Sequence, residues 1–525
     1  MNKTLISAFT GVLLLLSSCG GNEKSPSAPS LSVTLAKSEI SSSGGQMTAL
    51  VNWSDCKWKI SEEGEGILSS FSLVYAGTEE GSGTTEVTFT VKANNSSSPR
   101  TTKVIVTSTS GSAKAEATIS QEGVAVTPQT PVSVKVNSSE TFQSIDGFGA
   151  MNLGSNWGKH DYWSEEETDL LMGKLGLNIM RVRISPEESD WEKLVPSIKY
   201  ATSTYDALVL ASPWTMPASM KDNGSLNGST DGEYSHLKKD CYEEYALYLE
   251  KFASTMKDKG APIYAVSVQN EPDWPATYEG CLWSADNHRE FLAQWGDKIT
   301  SALVATGESM KMDHSFYTPA LNDEAACANI DIVAGHLYGT TPKSFSAVQG
   351  KGKRLWMSEH LLNDSWTNST SHWDETLAMV SEMNSCMLTG WNAYIWWYGR
   401  RYYSLIGDGE EGTSRGTVLK RGYAFSQFSY YVKPGDIRTG ATLSGSEDLA
   451  VSAFSGEGHL AVVIINSGNT SVENVEVDLG TSASGAKATC TSENMDRSSL
   501  ETKADGNKVT LLVPSKSIVT VYSNN

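Results

Sequence analysis

Two hydrophobic periodicities alternate along the chain and divide it into three parts. From Leu31 to about Gly123 apolar positions recur every second residue in short runs, such as Glu86-Val87-Thr88-Phe89-Thr90-Val91 and Lys103-Val104-Ile105-Val106-Thr107. Clusters of Gly, Ser and Asn separate these runs, a pattern that predicts a β-sandwich of roughly 90 residues. From Ile145 to about Phe425 strand-like runs alternate with helix-period stretches. That texture, over ~280 residues, predicts a parallel (β/α)8 TIM barrel. Its strands are expected at Ile145–Ala150, Ile179–Ile184, Ala207–Ser212, Ile263–Gln269, near Met310–Phe316, and at Ile332–Leu337, Arg354–Ser358 and Asn392–Trp397. Helices are expected at Ser164–Leu175 and Tyr242–Lys257, the first opened by the capping box Ser164-Glu165-Glu166-Glu167. After Gly435 short alternating strands return at Leu460–Ile465, Val472–Leu479, Val509–Val513 and Ile518–Tyr522. They predict a second β-sandwich attached to the barrel, with Val132–Phe142 donating a strand to it.

Length fits this division, because 525 residues exceed what one compact core supports. The expected layout is a tether over 20–30, a sandwich over 31–123 and a Pro/Thr linker over 124–131. The barrel with its side-domain strand follows over 132–425, and the side sandwich over 426–525. A net charge of −20 disfavours nucleic acid or an anionic membrane surface as partner, and otherwise reads as a soluble surface. Residues 1–18 read as an export signal, with Lys3, an apolar run from Val12 to Leu16 and then small residues. Leu16-Ser17-Ser18-Cys19 resembles a bacterial lipobox, so Cys19 is the expected lipidation site. The expected location is then the outer membrane, reached by the N-terminal lipid anchor alone, because the apolar run is too short to span a bilayer. Six further cysteines match no metal or CxxC spacing. Either they form disulfides, with Cys241 and Cys281 the leading pair, or they are buried free thiols.

The candidate chemistry sits at two strand ends. Ile263-Tyr264-Ala265-Val266-Ser267-Val268-Gln269 delivers Asn270 and Glu271 to the end of its strand, where Pro272 blocks further pairing. Arg354-Leu355-Trp356-Met357-Ser358 ends in a second carboxylate, Glu359. Two carboxylates at the C-terminal mouth of a barrel suit glycosidic hydrolysis, one as proton donor and one as nucleophile. Strand parity puts Arg181 and Arg183 on one face, with Met180, Val182 and Ile184 on the other. The apolar set should meet the helices, leaving the arginines inside with Glu359 as an expected partner. His336 and Tyr338 share a face at another strand end, placed to position a carboxylate and to hydrogen-bond the nucleophile. Trp157, Trp214, Trp274, Trp283, Trp396, Trp397 and Tyr398 lie near strand ends, where some should stack on sugar rings. The last strand is followed by Trp396-Trp397-Tyr398-Gly399-Arg400-Arg401-Tyr402-Tyr403, a fork suited to a carboxylate ligand.

Three sets of motifs carry resemblances. Residues 31–123, with Trp53, Trp58 and the closing Ala117-Thr118-Ile119-Ser120-Gln121, resemble the BACON family of β-sandwich modules. The resemblance allows glycan binding or a spacer role, and its few aromatic residues favour the spacer. About residues 132–525 resemble glycoside hydrolase family 30, within clan A. The matching segments are Ile145-Asp146-Gly147-Phe148-Gly149-Ala150, Ser212-Pro213-Trp214 with Pro217-Ala218-Ser219-Met220-Lys221, Asn270-Glu271-Pro272 and Trp356-Met357-Ser358-Glu359-His360. In that family the resemblance implies Glu271 as acid/base and Glu359 as nucleophile. The tyrosine-arginine loop and Lys420-Arg421-Gly422-Tyr423 are similar to the bacterial glucuronoxylanase subfamily. This implies that Arg401 and Tyr403 grip a glucuronic acid branch of xylan. That subfamily has a tyrosine two places after the nucleophile and a serine five places after. Here Leu361 and Asp364 stand there, with Ser365 one place late. A leucine cannot hydrogen-bond and an aspartate repels a uronate, so strict dependence on the branch is not expected.

The combined reading is an exported, lipid-anchored, monomeric retaining endo-β-1,4-xylanase. It needs no metal or other cofactor and binds substrate through Asn270, Trp157, Trp214, His336, Tyr338, Trp397, Arg401 and Tyr403. Alternatives are a family 30 hydrolase of another β-glycan, a xylobiose-releasing xylanase, or a non-catalytic glycan-binding surface lipoprotein.

Overall fold

The computed structural model describes residues 28–64, 66–124, 131–154, 161–230, 232–362 and 372–524. Cys19, Trp157, Asp364 and Ser365 lie outside the described residues. The chain divides into two compact units, residues 1–129 and 130–525.

The first unit is one sheet of seven strands, organised around the long strand Gly45–Glu63. Met47, Ala49 and Val51 face its core, and so do Trp58 and Ile60. The parity switches from odd to even because the ladder slips at Asp55, which stands in the left-handed region at φ 52°. One extra residue in a strand exchanges its two faces. Gly45–Glu63 therefore pairs mainly with Tyr75–Val91 and with Ser30–Leu35 before the slip, and also with Arg100–Ser108 after it.

The second unit holds a closed barrel of eight parallel strands: β1 Gly147–Asn152, β2 Ile179–Ile184, β3 Leu208–Pro213, β4 Ala265–Ser267, β5 Leu303–Ala305, β6 Ile332–His336, β7 Arg354–Glu359 and β8 Ala393–Trp396. Alternation along the strands makes two cores. Ile179, Leu210, Ala265, Ala305, Ile332, Ala334, Trp356, Ala393 and Ile395 fill the interior. Met180, Val182, Val209, Val266, Val304, Val333 and Leu355 pack outward with the helices. Period-2 strands with both faces buried read as unbroken apolar runs. The Ser164 capping box is present, with Glu167 closing back on the Ser164 amide.

One strand differs from expectation. β5 is Leu303–Ala305, and the stretch near Met310–Phe316 is a turn that leads into the helix His314–Asn322. Asp313 caps that helix, accepting from the Ser315 amide. Three residues leave too short a run for periodicity to reveal. The expected Cys241–Cys281 bridge is absent as well, since all six cysteines among the described residues are free thiols. The Cys281 thiol is buried, which pushes it up to about 12.

The remaining strands form a ten-stranded sheet that includes Ser133–Ser144, inserted between Ile437–Ser444 and Val472–Asp478. In the strand His459–Asn466, Leu460, Val462 and Ile464 face the core of this sheet. Ala461, Val463 and Ile465 join the apolar layer around the barrel. The sheet and the barrel are thus continuous through one strand.

Candidate active site

Four strand ends converge at the C-terminal mouth of the barrel. β4 leads to Asn270 and Glu271, whose register is fixed by an Asn270–Glu308 bridge to the segment after β5. The Glu271 amide donates to the Glu308 carbonyl at 3.0 Å, and the Glu271 carbonyl accepts from the Trp274 amide at 3.1 Å. These bonds hold Glu271 at φ 45°, a left-handed conformation that costs a non-glycine residue about 1–3 kcal/mol. The turn aims a carboxylate across the mouth instead of letting the strand continue.

Glu359 ends β7 and is almost fully buried. Its Oε2 accepts from Arg181 Nη1 at 2.5 Å, and its Oε1 accepts from the Tyr338 hydroxyl at 2.9 Å. Arg181 is wholly buried and donates also to Asn270 Oδ1 at 2.7 Å and Ser212 at 3.2 Å, with the Glu308 carboxylate 3.0 Å from its Nη2 as an ion pair. His336 approaches Glu271 Oε1 through Nδ1 at 3.2 Å. Its Nε2 lies 3.5 Å from Glu308 and 3.9 Å from Glu359.

Glu271, His336 and Glu359 bring their nearest polar atoms within 4.8 Å of one another. Burial alone would depress the imidazole, but Glu359, Glu271 and Glu308 outweigh it and lift His336 to about 9. As an imidazolium the ring donates to both sides, and it stands between the carboxylates as their counter-charge. Burial likewise opposes the charge of Glu308, yet Arg181 and His336 hold its carboxyl well below the usual range.

Arg183 takes a different carboxylate from the one expected. Its guanidinium pairs with Glu279 on the loop after β4, with Nε donating at 3.0 Å. Trp214 is buried beneath the Arg181 guanidinium, 5.2 Å from its ring, and abuts Trp397 at 6.0 Å. Trp397 and Tyr398 are half-buried and complete this wall. Trp283 and Trp396 are core residues, whereas Trp274 and Tyr278 remain 38% and 40% exposed after Glu271.

In the loop after β8 the two arginines part company. Arg400 is buried against Glu167 and the Asp161 carbonyl. Arg401 keeps a fifth of its side chain exposed and lies over the rings of Tyr398, Tyr402 and Tyr403 at 5.7, 5.7 and 5.8 Å. Its nearest carboxylates, Asp408 and Glu410, stand at 3.8 and 4.0 Å. Tyr403 is buried, and its carbonyl accepts from Arg421. Gly422 permits that clamp, since a Cβ there would meet the Leu405 carbonyl at 2.3 Å.

Glu308 and Glu279 escaped the sequence reading. For Glu308 a signal existed: Leu303-Val304-Ala305-Thr306-Gly307-Glu308 repeats the layout of β4, an apolar run with a carboxylate a few residues beyond.

Residues 177–314 match the model of the glycosyl hydrolase family 30 TIM-barrel domain. The chain is 34% identical over 399 residues to the glucuronoxylanase XynC of Bacillus subtilis (strain 168), covering 74% of this chain and 92% of that protein. Among solved structures it resembles the glycoside hydrolase family 30 subfamily 8 xylanase Xyn30A of Clostridium acetobutylicum. That match has a TM-score of 0.67 and 30% identity, over 75% of this chain and 100% of that one. A family 30 endoxylanase of Clostridium papyrosolvens C71 superposes with a TM-score of 0.65 at 30% identity, over 75% of this chain and 100% of that one.

Proposed function

The chain belongs to glycosyl hydrolase family 30, and from that premise we propose that it is a retaining endo-β-1,4-xylanase acting on glucuronoxylan. The observation that carries the reading is that one carboxylate oxygen of Glu271 and one of Glu359 come within 4.8 Å of each other, too close for the two groups to leave the gap of an inverting pair. Inverting enzymes keep their carboxyl groups roughly 6.5–9.5 Å apart to admit a water, whereas retaining ones hold them at about 5–5.5 Å.

Glu359 attacks the anomeric carbon. Its two oxygens accept from Arg181 and Tyr338, which suits a carboxylate held as an oriented anion. Glu271 protonates the departing glycosidic oxygen, then takes a proton from the water that opens the glycosyl ester on Glu359. Its strained backbone fixes the reach of that carboxyl. Trp214 backs the site, and Trp397 and Tyr398 present aromatic faces to the sugar. Arg401 and Tyr403 receive the uronate branch, as the name of the glucuronoxylanase relatives suggests.

Arg401 already faces Asp408 and Glu410, and Leu361 offers no hydrogen bond. The enzyme is therefore expected to prefer glucuronoxylan while still cleaving undecorated xylan. Product analysis on the two substrates tests this. Cleavage placed by the uronate on one and slower, unplaced cleavage on the other supports the reading. Inactivity on both xylans sinks it.

A further inference from the structure

The buried mouth of the barrel holds two cations, Arg181 and His336, and three carboxylates, Glu271, Glu308 and Glu359. Each cation joins Glu308 to one of the other two acids. Arg181 spans Glu308 at 3.0 Å and Glu359 at 2.5 Å, while His336 spans Glu308 at 3.5 Å and Glu271 at 3.2 Å. Glu308 has no exposed surface, so unlike the other two it cannot touch a sugar.

Resting on the retaining reading above, we propose that Glu308 is a positioning residue that acts as the site's fixed counter-charge, keeping His336 an imidazolium through the whole cycle. In a retaining cycle the acid/base role carries the proton and the nucleophile role the negative charge before attack. In the glycosyl-enzyme Glu271 is ionised and Glu359 is an ester. Either way the catalytic pair carries one negative charge, Glu308 carries the second, and the two cations match them. The proton that Glu271 gives to the leaving oxygen returns to it from water, and none passes through His336.

Four charged groups among the described residues surround His336, one from each neighbouring strand end. Glu271 comes from the β4 end, Glu308 from the β5 end, Glu359 from β7 and Arg181 from β2. Tyr338, on the imidazole's own segment, stays a neutral phenol because burial and the two neighbouring carboxylates raise it well above its ordinary value. Removing an anion from such a cluster disfavours every cationic form and favours every anionic one. Without Glu308, His336 should lose its proton more readily.

The test uses the full chain and two readouts. In the wild type, histidine NMR with the His336 signal assigned by its loss in His336→Asn should show a protonated ring through pH 8. In Glu308→Gln, that titration and the whole bell of kcat/KM on xylan should move toward acid by at least about one pH unit, the effect of a charge within hydrogen-bonding range. Glu308→Asp should restore most of the shift. A neutral His336 at pH 7 in the wild type overturns the proposal, even if the glutamine variant does not fold. An unmoved profile in a folded Glu308→Gln overturns it too, as does a uniform loss that Asp fails to restore. Glu271→Gln separates this from the reading beneath it. Full activity of that variant on xylan would remove the acid/base assignment while the His336 titration still reported on Glu308.

Discussion

Two arginine clusters stand at the same end of the barrel and are built in opposite ways. Around Arg181 every partner is buried and close, and acids, arginine and imidazolium are matched at 2.5–3.5 Å. Around Arg401 the partners are tyrosine faces, a hydrogen bond with the Tyr403 side chain and two carboxylates no nearer than 3.8 Å, with a fifth of the side chain exposed. In a dry site charges act at nearly full strength and cannot be rearranged cheaply. A half-open site exchanges partners at little cost. The contrast teaches that one cluster is a preset field of closely paired charges, whereas the other keeps its cation among aromatic faces with its carboxylates at arm's length.

The sharpest break should come at Glu359. Glu359→Gln should lower turnover on every substrate by about 10⁴-fold or more, as loss of a nucleophile does in other covalent mechanisms. Glu271→Ala should cost about 10²–10⁴-fold on xylan and far less on aryl xylosides, whose leaving group needs little protonation. Equal losses of both variants on the aryl substrate, measured by steady-state kinetics, would undo the division of roles.

Next in size is Arg181→Met. It leaves Glu308 and Glu359 buried without their shared cation, which should lower stability by about 3–5 kcal/mol in chemical denaturation. A loss below about 1 kcal/mol, the range of an exposed pair, would erase the contrast between the two clusters.

Smallest and most selective is Arg401→Ala. Activity on glucuronoxylan should fall by about 1.5–3 kcal/mol of barrier, the range for a charged hydrogen bond, with little change on linear xylo-oligosaccharides. Parallel losses on both substrates would make Arg401 a brace for its loop, like Arg400.

Local pattern along the chain specifies an element only as far as its run of residues is long enough, and beyond that long-range folding decides. β2 and β7 are six-residue runs, so their parity and end points could be read directly, and Arg181 does meet Glu359. β5 has three residues, too few to show a period, and Glu308 was lost with it. Parity places Arg183 inward, but its partner Glu279 lies on a loop whose path no local signal states. The aromatic residues divide for the same reason. Trp274 stays open while Trp283 and Trp396 are packed, and composition near a strand end is alike for all three.

The strand His459–Asn466 has a consequence for how such a protein can be recombined. Its even residues belong to the terminal sheet and its odd residues to the layer that jackets the barrel. The sheet also borrows Ser133–Ser144 from ahead of the barrel. Nothing from that segment to the C-terminus is a detachable accessory. Gene shuffling that swaps the terminal sheet would strip one wall from the catalytic half and strand a row of Val and Ile in water. The permissive crossover lies at the Gln129–Thr130 joint, where a foreign module can be exchanged without opening either core.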